Sequence, residues 1–392
     1  MALPKLLFYT HGLIDGGAER LWSCLASAFK QRGYGVTFAV DFMASDNAAN
    51  LDPSIPVTVL GRNHGLATLR LAKLLRAERP DVALSAVGGS NLKLMTALSM
   101  SRAATRSIIT FHGSVEPSSG LLAYLSYRGL PILSRRAGRT VAVSEGLGAE
   151  LVAKWHADPV RTSVILNPVY FPASAPVPDG QALAARPDVV LAAGRLSPEK
   201  DFTTLIRAFA LLNRPGAKLV ILGKGPDRAR LESEVNRLGL QDAVSMPGYC
   251  AEPWAHYQLA KCLVSSSTSE LFGNTIVEAM AYGLPVVATA CTGPKEILIE
   301  PAHGHLVAIG NAPALAEAIN AALDSPGDPR PRRERANQFS FDARVPAYEA
   351  LITDVMAGQG PQPGLLSQVW KNSALTFAVS NGSHELDILT RL

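Results

Sequence analysis

Cysteine is scarce in this chain. Cys24, Cys250, Cys262 and Cys291 stand far apart with no Cys-x-x-Cys pair, which offers neither a zinc site nor a disulfide framework and predicts reduced core thiols. There is no Asp-x-Asp anywhere, so no metal-binding pair of that kind is on offer. No Walker lysine motif occurs either, and Gly223-Lys224-Gly225 fails as a dinucleotide fingerprint because Arg228 holds the third glycine position. A hydrolase nucleophile elbow is excluded at 142–146, where Ala142 stands in place of the first glycine. Long hydrophobic runs are missing as well: residues 6–9 are too short for a signal-peptide core and nothing approaches membrane-spanning length. A cytoplasmic chain is expected, in which the sequon at Asn381 is a chance match.

Charged residues make up only 18% against 47% hydrophobic, a balance that excludes disorder and fits buried parallel sheets. At 392 residues there is room for two domains with full cores. Strand-like runs at 6–9, 36–40, 57–60, 82–87, 107–111 and 140–143 alternate with helical stretches, the pattern of a doubly wound parallel sheet. A Pro/Ala/Gly-rich stretch at 171–187 reads as a linker between a first domain at 1–170 and a second at 188–340. The second repeats the alternation, with strands at 189–193, 218–222, 262–265, 285–289 and 306–309 and helices at 203–212, 228–238 and 313–323. A last helix follows at 341–357, and the tail 358–392 has no functional reading.

Net charge is mild at +4 but uneven, because residues 60–140 carry 12 basic and three acidic side chains, or +9. That face of the first domain is expected to attract anionic lipid or a diphosphate-bearing acceptor. Helix 66–79, with Leu71, Leu74 and Leu75 against Arg70, Lys73 and Arg76, fits either a membrane surface or simple docking on its own sheet. No nucleic-acid partner is expected.

The chemistry concentrates in three loops. Glu270 and Glu278 frame a run in which Gly273 and Asn274 predict a tight turn and 275–282 a helix that stops at Gly283. The free N–H groups and positive dipole end of that helix suit a phosphate. Residues 6–9 lead into Gly16 and Gly17 and then a helix whose apolar face is Ala18, Leu21, Trp22, Leu25 and Phe29. The two glycines let the backbone approach a ligand closely, and His112 ends a strand at the same edge. Arg195 and Lys200, in the first loop of the second domain, project toward the cleft as a fork and a point charge suited to two phosphates.

Together, Glu270-x7-Glu278 followed by Ala-Met-Ala-x-Gly-x-Pro-Val-Val, Gly-Gly-Ala-Glu-Arg at 16–20 and Gly-Arg-x4-Lys at 194–200 closely resemble the family 4 retaining glycosyltransferases, especially those building bacterial surface glycans on lipid carriers. The resemblance implies a GT-B fold, α/β, with two Rossmann-like doubly wound parallel-sheet domains facing a central cleft. The first domain would take a glycan or lipid-linked acceptor and the second a nucleotide-diphosphate sugar, with the last helix crossing back onto the first. Gly17 would give an N–H to the donor diphosphate, and Arg195 and Lys200 would clamp it. His112 would face the transferred sugar. Glu270 would bind the donor sugar hydroxyls and Glu278 the ribose. Phe272, Gly273, Asn274 and Thr275 would surround the donor sugar, and Gly225 and the turn Pro247-Gly248-Tyr249 would border the base. UDP-linked hexoses or N-acetylhexosamines are the favoured donors, ahead of GDP-mannose, with no cofactor and no metal. An epimerase of the same architecture or a non-catalytic nucleotide-sugar binder are the alternatives.

Overall fold

A computed structural model describes residues 3–13, 17–43, 48–113 and 120–358; Gly16 and the tail from 359 lie outside the described residues. Strands β1 (Lys5–Gly12), β2 (Gly35–Phe42), β3 (Val57–Val59), β4 (Val82–Ala86), β5 (Arg106–Phe111), β6 (Arg139–Ala142) and β7 (Thr162–Val164) make one parallel sheet, ordered β3-β2-β1-β4-β5-β6-β7. Strands β8 (Val189–Ala193), β9 (Lys218–Leu222), β10 (Val244–Gly248), β11 (Cys262–Ser265), β12 (Val286–Thr289) and β13 (His305–Val307) make a second, ordered β10-β9-β8-β11-β12-β13.

Both sheets are covered on both faces, which explains the continuous apolar runs. In β1, Leu6 and Phe8 enter one core cluster while Leu7 and Tyr9 enter another on the opposite face. In β8, Val190 and Ala192 pack on one side and Leu191 on the other. Strand order reverses between β1 and β4 and between β8 and β11, and at such switch points the loops leaving the carboxyl ends open a crevice. The loop before Gly17 leaves β1, the Arg195 loop leaves β8 and the Glu270 loop leaves β11.

Two strands escape the hydrophobic pattern. The three-residue β7 has one buried side chain, and β10 is an edge strand with exposed Ser245 and Pro247. The turn expected at 247–249 is therefore the end of β10, where Pro247 is tolerated because an edge strand needs fewer backbone donors. Helix His64–Glu78 ends in left-handed Arg79 and docks on its own sheet through Ala67, Leu71, Ala72 and Leu75. The last helix, Phe341–Ala357, puts Val345, Tyr348, Leu351, Ile352 and Val355 into the first domain's core beside Leu6, Phe8 and Phe29. The residue just before its cap, Phe339, belongs to the second domain's core, so this segment contributes to both cores. Among the described residues no helix is long and apolar enough to cross a membrane, and all four cysteines are free, with Cys262 and Cys291 buried.

Candidate active site

The Glu270 loop is set by backbone contacts. Gly293 N–H donates to Glu270 O at 2.8 Å, and a Cβ on Gly293 would stand 2.1 Å from Phe272 O, so only glycine lets the next helix approach this closely. Gly273, at φ 110°, turns the chain into helix Asn274–Ala281 with no side chain capping that end. Its first N–H groups have no side-chain partner among the described residues.

Lys200 Nζ pairs with Glu270, both about four-fifths buried at the side chain. Burial works against the ammonium, but Glu270 beside it outweighs that and raises the Lys200 pKa, so it stays cationic. Arg195, from the same loop, is exposed, and its guanidinium makes no hydrogen bond or ion pair with the described residues. That loop is welded to the next one: Leu196 N–H donates to Lys224 O at 3.0 Å, and Cβ atoms on Gly223 and Gly225 would lie 1.8 Å from Gly194 O and 2.2 Å from Leu196 O. Gly225 is thus required by packing whatever it does for a base. Tyr249 is 39% exposed, with the Lys224 ammonium 5.4 Å from its ring centre.

Contacts from the first domain complete the cleft. Gly17 opens helix Gly17–Gln31, and a Cβ there would be 3.2 Å from the Asn274 amide; Asn274 in turn accepts from Asn167 at 3.4 Å. Arg20 reaches Glu278 at 3.3 Å and lies 5.3 Å from the Trp254 ring centre. Glu278 is buried and also accepts Tyr257 OH at 2.7 Å. Burial pushes its carboxyl pKa up, with Arg20 and Tyr257 pulling the other way. His112 bonds Thr110 Oγ1 at 2.8 Å and meets Trp22 edge-on at 5.9 Å between centroids. Its pKa is pushed down to about 4 by burial, so the ring is neutral at pH 7.

Lys200 and Glu270 thus touch, and Gly17 meets Asn274 across the cleft. Thr275 is half-buried in the first turn of the same helix. Phe272 stands apart. Its side chain is buried and packs on Phe339 at 5.5 Å, leaving only its main chain for a substrate. Sequence reasoning missed Arg20, Trp254 and Tyr257, whose roles arise from contacts between distant segments. It also missed Glu296, which bonds the first domain's Gly146 N–H at 2.8 Å. The Gly-Gly-Ala-Glu-Arg wording was the one available signal, since it contains Arg20.

Residues 15–170 match the glycosyltransferase family 4 model and residues 178–340 the glycosyl transferases group 1 model. The chain belongs to the family 4-type GT-B glycosyltransferases. Among curated members, LpsE of Rhizobium meliloti, a lipopolysaccharide core biosynthesis glycosyltransferase, is 34% identical over 42% of this chain and 49% of its own. AmsD of Erwinia amylovora, an amylovoran biosynthesis glycosyltransferase, is 25% identical over 75% of this chain and 83% of its own. The chain spans less than half the length of several first-ranking curated relatives, from 18% to 49%. HepE from Anabaena in complex with UDP-glucose is similar in fold, with a TM-score of 0.77 at 21% identity over 91% of this chain and 100% of that one.

Proposed function

We propose that this family member transfers a hexose or N-acetylhexosamine from a nucleotide-diphosphate sugar, UDP-linked by preference, to a glycan or lipid-linked acceptor in bacterial surface-polysaccharide synthesis. The observation that carries the reading is the Lys200–Glu270 pair beside the uncapped start of helix Asn274–Ala281, with the Arg195 guanidinium unpaired among the described residues in the same loop. As the glycosidic bond stretches, charge develops on the leaving diphosphate. Arg195, the free N–H groups and Gly17 N–H would stabilise it in place, which is where electrostatic preorganisation contributes most, and Lys200 would join them on leaving Glu270. Glu270 would hold sugar hydroxyls once Lys200 turns to the phosphates, and Glu278 the ribose.

In this reading the acceptor attacks on the face the diphosphate leaves, so configuration is retained and a phosphate oxygen takes the proton. Protein cations serve in place of a divalent ion. The +9 segment at 60–140 favours work at an anionic membrane face, which sedimentation with anionic vesicles would test. Arg195→Ala and Lys200→Ala should each raise the barrier by about 2–4 kcal/mol, or roughly 30- to 1000-fold in rate. The assay is UDP release from a panel of nucleotide sugars, with and without chelator. Near-normal turnover in both variants sinks the clamp, and loss of activity with chelator sinks the metal-free mechanism. An altered sugar nucleotide in place of a transfer product would instead favour an epimerase.

A further inference from the structure

The carboxyl edge of the first sheet holds a second polar constellation outside the nucleotide pocket. His11 and Asp41 face each other there, between the register pairs Thr10–Val40 and Gly12–Phe42 of β1 and β2. Asp41 is fully buried and accepts three donors: Tyr9 OH at 2.9 Å, His11 Nδ1 at 2.6 Å and Lys93 Nζ. Burial opposes its charge, yet these donors outweigh burial and keep the carboxylate ionised. Lys93 is buried too, so the pair balances within the protein.

Of these four residues only His11 reaches solvent, with its side chain 43% exposed. With Nδ1–H donated to Asp41, Nε2 is the ring atom left over, and no described residue bonds it. An ion pair this deep adds little stability for its desolvation cost. What it does achieve is to hold one imidazole tautomer in one orientation at the rim of the cleft.

An arginine and a second histidine stand near His11. Its ring meets Phe42 edge-on at 4.9 Å, the Arg62 guanidinium lies over Phe42 at 4.3 Å, and the His64 ring is 5.7 Å from His11. Arg62 and His64 are exposed, and among the described residues no carboxylate pairs with Arg62. Arg70 is instead engaged by Leu60 O at 2.6 Å. Donor atoms of His11, Asp41 and His64 do come within 4.8 Å of one another. A metal ion there would meet the Lys93 ammonium on the same Asp41 oxygen, which disfavours a second cation.

We propose that His11, Phe42, Arg62 and His64 form the acceptor subsite, and that the acceptor is a sugar carrying a phosphate or carboxylate group. The anionic group lies against Arg62 and His64, and a sugar hydroxyl donates to His11 Nε2. This rests on the transferase reading above and names the class of its acceptor.

The test is calorimetric titration of the full chain with glucose 6-phosphate, glucuronate and glucose. Wild type is expected to bind one of the anionic sugars about tenfold more tightly than glucose, as a single charge-assisted contact allows. The double variant Arg62→Gln/His64→Gln, which leaves the buried cluster intact, brings that sugar down to the level of glucose at an unchanged melting temperature. Tighter binding of glucose 6-phosphate assigns a phosphate, and tighter binding of glucuronate a carboxylate. Equal binding or none by the wild type overturns the proposal. So does a preference that survives in the double variant, because the anion would then sit on Arg195 and Lys200. UDP is titrated separately, so its failure to bind counts against the transferase reading alone.

Discussion

Glu296 lies on helix Thr292–Ile297 of the second domain and accepts the N–H groups of Glu145 at 2.9 Å and Gly146 at 2.8 Å. These open helix Glu145–Ala153 of the first domain, so the carboxylate caps a helix across the cleft. Replacing it with alanine removes both acceptors. Hydrogen bonds to a charged group contribute about 1.5–3 kcal/mol each, and a carboxylate at a helix N-terminus about 0.3–1 more. Against that gross gain, burial, with the like charge of Glu145, pushes the Glu296 pKa up by more than the two N–H groups lower it. Desolvation therefore takes back much of the gain, and a net of about 2 kcal/mol is the reasonable figure.

The linker and the last helix still join the domains, so the loss appears as opening, not unfolding. Glu296→Ala should shift the open–closed equilibrium about 30-fold toward open. Small-angle scattering with UDP would read this as a larger radius of gyration, and kcat/KM should fall by a similar factor while the melting temperature hardly moves. Gly146→Val should do the same by force, since a Cβ at Gly146 already stands 2.1 Å from Thr292 Cγ2. Unchanged dimensions and kcat/KM within twofold of wild type would refute the reasoning.

Gly225→Ala should cost about 2–3 kcal/mol in denaturant unfolding, because its Cβ would press on the backbone oxygen of Leu196 and that neighbour cannot rotate away. Tyr348→Phe should be neutral or stabilise by about 1 kcal/mol, since the hydroxyl is buried without a partner among the described residues; a clear loss would mean the hydroxyl is satisfied. His112 has its pKa depressed to about 4 from the ordinary 6.5, so its neutral ring contributes stability above pH 6.5 that is lost as pH falls toward 4. His112→Phe should flatten that part of the melting-temperature profile, and an identical slope in both proteins would refute the assignment.

What was legible in the sequence was whatever leaves a local pattern. Apolar runs such as 6–9 and 189–193 announce strands buried on both faces, and the run from Glu270 to Gly283 encodes its own turn, helix and stop. β7 and β10 lie at sheet edges, where polar residues are tolerated and the pattern fades. Gly223 and Gly225 look like ligand-loop glycines, but their spacing cannot say that the missing side chains make room for Gly194 and Leu196. Glu145 and Gly146 drew notice only as part of a failed hydrolase elbow. Their partner Glu296 is about 150 residues away, and no periodicity connects such positions.

The same limit hides the burial of Glu278. Its place one turn into a helix is visible in the sequence, whereas Arg20 and Tyr257 arrive from elsewhere and bury it. On the proposed reading, this arrangement would tie donor binding to lobe geometry. If the ribose takes Glu278, Arg20 must share or release that carboxylate, and its guanidinium, beside Trp254, would then be available to the donor diphosphate. An ion pair joining the lobes directly would become one joining them through the donor. The Glu296 cap does not depend on the donor, so it would hold the lobes in register while the exchange occurs.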